Sequence, residues 1–134
     1  MAAQHPAVVR EHALLVRDGK IVRGAEPQVP GDWVYVWTRP SEGMAVLYVG
    51  ATALALAERT RLHAESPVAT IGRVRAEQPE ALKGDVVVRG FLLAPGSDRQ
   101  AVKRALVAIL AGNPADGDAT ATAIATAIAS RIAH

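Results

Sequence analysis

The residues with the most chemical potential are two tyrosines, an arginine and a histidine: Tyr35, Tyr48, Arg59 and His63. A phenol and an imidazole can relay a proton, and a guanidinium can neutralise an oxyanion in a fixed fork geometry. Arg59 and His63 stand at i, i+4, which puts them on one face of a helix. Tyr35 and Tyr48 lie in separate apolar runs just before that helix, WVYVW at 33–37 and AVLYV at 45–49. Such a set suits chemistry on a phosphate, whose transition state is stabilised mainly by positive charge and positioning. Each residue also has a plainer reading. A tyrosine suits any half-buried strand, and Arg59 can simply pair with Glu58, Glu65 or solvent.

These four can meet only if the surrounding segments fold suitably. WVYVW and AVLYV are rich in aromatic and β-branched residues, and TRPSEGM between them carries Pro40 and Gly43, which predicts an antiparallel hairpin. Gly50 ends the second strand, and Thr52 is placed to cap a helix from about Ala53 to Glu65. Ser66-Pro67 closes it and opens a shorter helix over Val68 to Glu77. DVVVRGFLLA, Asp85 to Ala94, reads as a third strand, followed by a helix capped by Ser97 or Asp98 with Val102, Leu106, Ile109 and Leu110 along one face.

The resulting sequence of elements resembles the GIY-YIG nuclease family. WVY stands for the first motif, with Tyr35 at its tyrosine and Trp33 at its glycine. Tyr48, Val49 and Gly50 stand for the second, YIG, while Arg59 and His63 match the helix pair. The resemblance covers roughly Trp33 to Leu110. It implies an α+β fold with a small central three-stranded antiparallel sheet flanked by helices. It also implies a nucleic-acid partner, DNA favoured, and hydrolysis of a phosphodiester by an endonuclease using Mg²⁺ or Mn²⁺. Tyr35, Tyr48, Arg59 and His63 are then the catalytic candidates, and Gly50, Arg73 and Arg75 the candidates for substrate binding; Arg73, Arg75 and Arg89 suit a phosphate-tracking stripe beside the cleft, and an ordinary solvated face explains them about as well.

One part of that pattern is missing. In the family the metal hangs on a glutamate of the helix after the third strand; here SDRQAVKRALVAIL puts Arg104 or Ala105 near that position, with Asp98 as its single acid. The metal ligands are therefore unassigned, and the family's late asparagine has one candidate, Asn113. The missing acid gives a second expectation, a catalytically silent relative that binds nucleic acid or an anionic ligand.

The flanks read more simply. Residues 1–32 predict an N-terminal appendage with a short hairpin around Asp18-Gly19, ahead of a domain over 33–111. His5 and His12 are read there as surface residues. The loop GNPADGD leads into a small-residue helix over Ala119 to Ala133, with Ile124, Ile128 and Ile132 as an apolar stripe. Residues 112–134 are expected to pack back on the domain, although the stripe equally suits a homodimer contact or a protein partner. Asn113, Asp116 and Asp118 fit a capped turn better than a calcium loop.

Composition sets the remaining bounds. Half of the 134 residues are apolar, enough to bury a core, and the absence of cysteine excludes disulfides, thiolate zinc sites and cysteine nucleophiles. Twelve of the fifteen basic residues are arginine, which permits a phosphate partner and also fits a GC-rich codon bias. No segment reaches the ~20 apolar residues of a membrane helix, and the N-terminus lacks the pattern of a signal peptide. The expectation is a cytoplasmic protein with no membrane association. No nucleophile elbow, phosphate-cradling glycine loop or dinucleotide fingerprint is present.

Overall fold

The computed structural model describes residues 5–115 and 117–133. Five strands, β1 (Val8–Arg17), β2 (Lys20–Arg23), β3 (Trp33–Arg39), β4 (Ala45–Thr52) and β5 (Asp85–Leu93), form one antiparallel sheet in the order β2-β1-β5-β3-β4. Helices α1 (Leu56–Glu65) and α2 (Arg73–Glu77) lie between β4 and β5, and α3 (Arg99–Leu110) and α4 (Ala119–Ile132) follow β5. The fold is α+β, as expected, but the sheet has five strands rather than three.

The added strands are the hairpin expected as an appendage. Asp18 (φ 51°) and Gly19 (φ 80°) make its turn, and β1 then pairs with β5 from Val8 to Arg17. Only Leu14 and Val16 of β1 are buried, so its first half carries no apolar alternation that would mark it as a sheet strand. Its membership is decided by β5, which sends apolar side chains into both helical layers and pairs its backbone N–H and C=O groups on both sides, against β3 and β1.

The alternation of β3 sorts its residues between two cores. Val34 and Val36 face Phe91, Leu93, Val102, Leu106, Ile124 and Ile128, the layer formed with α3 and α4. Trp33, Tyr35 and Trp37 face the opposite layer, with Leu14, Val16, Val86 and Val88 of the sheet, Leu56 and Ala57 of α1, and Val74 of α2. Leu56 reaches β5 because Gly90 has no side chain: a Cβ there would stand 2.4 Å from Leu56 Cδ2.

Helix boundaries differ from the sequence expectation where distant residues intervene. α1 begins at Leu56, not Ala53, because Thr52 stays paired in β4 and its Oγ1 accepts from the Leu54 N–H at 3.0 Å. The first turn of α1 is capped from outside, Gln28 Oε1 accepting from the Ala57 N–H at 2.8 Å. The second helix begins at Arg73 rather than Val68: Ser66 Oγ draws the Val68 N–H into a turn, and the Gly72 N–H bonds to the Val68 carbonyl. Asp98 caps α3 and Asp118 caps α4. Asp118 thus makes the capped turn expected of it, while Asp116 lies outside the described residues.

The Ile124, Ile128 and Ile132 stripe is buried within the chain, at 3%, 0% and 7% exposure. That removes the reason for expecting a homodimer or a partner on those side chains. Glu11 anchors the end of α4: its carboxylate accepts from Arg89 Nη2 at 2.5 Å and from Arg131 Nη2 at 2.8 Å. Truncation of Ile128 to alanine should therefore cost about 2–5 kcal/mol of folding stability, whereas Val46→Ala, on the half-open edge strand β4, should change it by about 0.5 kcal/mol or less. Equilibrium urea unfolding distinguishes them; equal small losses would mean that α4 does not close the core.

Candidate functional site

His63 is the centre of the candidate site. It projects from the third turn of α1 into the aromatic row of β3 and β4 and is fully buried. Tyr35, Trp37 and Tyr48 surround its ring edge-on, with centroids 5.5, 6.0 and 5.0 Å away. The strand register explains the convergence. Tyr48 stands opposite Trp37 and Gly50 opposite Tyr35, so all four positions share one sheet face. Gly50 leaves the space that the phenol fills: a Cβ there would lie 2.2 Å from the Tyr35 hydroxyl.

Tyr35, 2% exposed, is hydrogen-bonded through its hydroxyl to His63 Nε2. On the other side of the ring, Nδ1 accepts from the Val74 N–H at 3.4 Å. A neutral imidazole has one donor and one acceptor nitrogen. With Nδ1 accepting, Nε2 carries the proton and donates it to the Tyr35 oxygen. The lone pair that a general base would use is thus directed at the backbone of α2.

The electrostatics agree with a neutral ring. Burial, reinforced by the nearby charges of Arg59, Arg73 and Lys103, pushes the His63 pKa down to about 3. Burial raises the Tyr35 phenol well above its ordinary range, against the opposing pull of Arg59. Tyr48, half-buried, is also raised by burial, with Arg73 opposing. Both phenols are therefore protonated near neutral pH. The indole N–H of Trp37, in the same cluster, is buried and has no hydrogen-bond partner among the described residues.

Arg59 is partly exposed beside this pair; its Nη1 donates to the Ile71 carbonyl at 2.6 Å. Arg73 pairs with Glu77 at 2.7 Å across one turn of α2. The structure thus brings Tyr35, Tyr48, Arg59, His63 and Arg73 together and seats Gly50 beneath Tyr35. Two arginines of the expected stripe are engaged elsewhere. Arg75 donates to the Glu65 carbonyl at the end of α1, and Arg89 lies on the opposite sheet face, over Phe91 and bonded to Glu11 and to the Arg131 carbonyl. His12 bonds to the Gly24 carbonyl, and the Asn113 N–H closes the end of α3 on Ala108.

Lys103 was not among the candidates read from the sequence. It is partly buried on α3, which packs against β4, and its charge bears on His63, Arg73 and Glu77. No local pattern in the sequence marks it, because its placement depends on how α3 packs against the sheet. The donor set does not fit Mg²⁺ or Mn²⁺. Such ions need oxygen ligands; the carboxylate bearing on Tyr48 is Glu77, which Arg73 holds, and Asp98 is spent on capping α3. Among the described residues no group of three or more His, Cys, Asp or Glu side chains is arranged to hold a metal ion. A cavity of about 500 Å³ lies elsewhere, between β1 and α4.

Two tests follow from this geometry. Below pH 6.5 the unfolded chain protonates His63 while the folded chain does so only near pH 3. The stability from its neutral burial is therefore complete above pH 6.5 and declines as pH falls, by up to about 1.4 kcal/mol per pH unit. Between pH 6.5 and 5, above the carboxylate range, His63→Gln should flatten this slope in urea titrations; an unchanged slope would refute the buried neutral ring. Gly50→Ala should push the phenol off His63 and destabilise by about 1–3 kcal/mol, read as a lowered Tm. No family model, curated protein or solved structure matches this chain.

Proposed function

We propose that the surface formed by Tyr48, Arg59 and Arg73 binds the phosphates of a nucleic-acid strand, DNA being the favoured partner, on a GIY-YIG-like scaffold and without metal-dependent cleavage. The observation that carries this reading is the arrangement in two levels. A dry, neutral Tyr35–His63 pair lies beneath, and two guanidiniums rim the partly exposed Tyr48 above it. Guanidiniums suit phosphate oxygens through charge and paired N–H groups, and a tyrosine at such a rim can stack a base.

Phosphodiester hydrolysis by a divalent-metal endonuclease is the second reading. It is favoured by the sharing of one face by Tyr35, Tyr48, Arg59 and His63. Against it stand the unsuitable donor set and a histidine whose accepting nitrogen is occupied by Val74. No step through a metal follows from these residues.

Branched, nicked and single-stranded DNA, each incubated with the full chain and Mg²⁺ or Mn²⁺, separates the two. The expected result is salt-dependent binding with intact DNA. For single strands, Arg59→Ala and Arg73→Ala should each lower the slope of log K against log salt by about 0.7. Cleavage abolished by Arg59→Ala would favour the nuclease, and binding insensitive to salt would eliminate phosphate recognition.

A further inference from the structure

The cavity between β1 and α4 lies on the sheet face opposite His63, on the side of Phe91 and Ile128. Its volume of about 500 Å³ falls within the range of about 300–1,000 Å³ typical of small-ligand sites. β2 pairs with β1 only at Leu15, Val16 and Arg17, so no described strand lies beside Val8 to Leu14 on that edge, and Val9 stays 55% exposed. Neither wall of the cavity is uniform. Along β1 the lining changes from Val8 and Val9 to Arg10 and Glu11, and along α4 it changes from Ala127 and Ile128 to Arg131, one turn later. The hydrogen bond from Arg131 Nη2 to Glu11 Oε2, at 2.8 Å, sets the two charged ends side by side. The cavity is therefore apolar at one end and charged at the other.

The charges at that end do not cancel. Glu11 is the one acid of the lining, and both its oxygens are taken: Oε1 accepts from Arg89 Nη2 at 2.5 Å, and Oε2 accepts from Arg131 Nε at 3.1 Å as well as from Nη2. Two guanidiniums sharing one carboxylate leave one positive charge, before Arg10 is counted. Arg89 is further occupied by the Arg131 carbonyl at the end of α4. Among the described residues, Arg131 Nη1 and the Arg10 guanidinium have no hydrogen-bond or ion-pair partner. The cluster is partly buried, where a charge is screened less than at the open surface, and N–H groups of a guanidinium bond most strongly to an anionic oxygen.

We infer that this cavity binds a small organic carboxylate, with its apolar body against Val8, Val9 and Ala127 and its head group on the remaining N–H groups of Arg131 and Arg10. One negative charge matches the charge that the Arg89–Glu11–Arg131 cluster leaves over. An uncharged molecule of the same shape would bury those donors without an acceptor, and a cation would meet an excess of arginine. The inference is independent of the phosphate reading of the Tyr48 surface, which lies across the sheet.

Two-dimensional ¹H–¹⁵N spectra of the full chain, titrated with sodium octanoate and separately with octan-1-ol, test it. Octanoate is expected to shift the amides of Val9, Glu11, Ala127 and Arg131 saturably, and octan-1-ol to bind about tenfold more weakly. Arg131→Gln should bring octanoate down to the level of the alcohol, with an unchanged circular dichroism spectrum identifying the variant as folded. Should that variant not fold, the comparison of octanoate with the alcohol on the wild type still decides. Equal affinity for the two, shifts centred on Tyr48 and Arg59, no saturation by octanoate, or a folded Arg131→Gln that binds octanoate as the wild type does would each overturn the inference. All of these leave the phosphate reading standing.

Discussion

The structure around the site depends on keeping one imidazole neutral and dry. His63 is buried among three aromatic rings, where a charged ring would lose its hydration without a carboxylate to replace it. A buried neutral ring still has two polar nitrogens to satisfy, and the partners that satisfy them come from different parts of the fold. The Tyr35 hydroxyl is supplied by the central hairpin, and the Val74 N–H by the helix that follows a tight turn. The position of α2 relative to the sheet is therefore fixed by a hydrogen bond as well as by packing of the Val74 side chain. Gly50 and Gly90, the cross-strand neighbours of Tyr35 on either side, make room for the phenol and for Leu56.

The same constraint separates buried and exposed roles among residues that look equivalent in the sequence. Tyr35 and His63 are closed off, with His63 Nε2 bonded to the phenol and Nδ1 to the backbone of α2. Tyr48, Arg59, Arg73 and Lys103 stand at the boundary with water. The charges of Arg59, Arg73 and Lys103 lower the basicity of the imidazole further, so the cationic rim helps to keep the floor neutral. An anion on the rim would relieve the repulsion among the cations. It would also offset the positive potential that disfavours protonation of His63.

Much of this arrangement was legible before any coordinates. Odd-numbered residues of WVYVW share a face by strand geometry, and the four-residue step from Arg59 to His63 shares a face by helix geometry, so the meeting of Tyr35, Tyr48 and His63 followed from local periodicity. What escaped was set by distant partners. Nothing near Leu56 announces that Gln28 caps its helix, and nothing near Val8 announces that β5 needs a second neighbour. Arg75 and Arg89 carry the same side chain as Arg73, but one meets the end of a helix and the other a glutamate on the opposite sheet face. Lys103 escaped because nothing near it announces that α3 packs against β4.

The tyrosine and histidine that carry the sequence resemblance to the GIY-YIG pattern are also residues that packing alone would hold in place. A tyrosine hydrogen-bonded to a histidine in a closed aromatic cluster supports the fold whether or not any phosphate arrives. Its presence therefore says little about any reaction. The residues that can discriminate a cutting site from a holding site are those on the rim, because they face solvent and do not contribute to the core. The groups that could activate a water are committed elsewhere: Glu77 is tied to Arg73, and the His63 lone pair is turned toward the backbone. Each commitment weakens the means of activating a water, and the Glu77 carboxylate also offsets part of the Arg73 charge that would attract an anion.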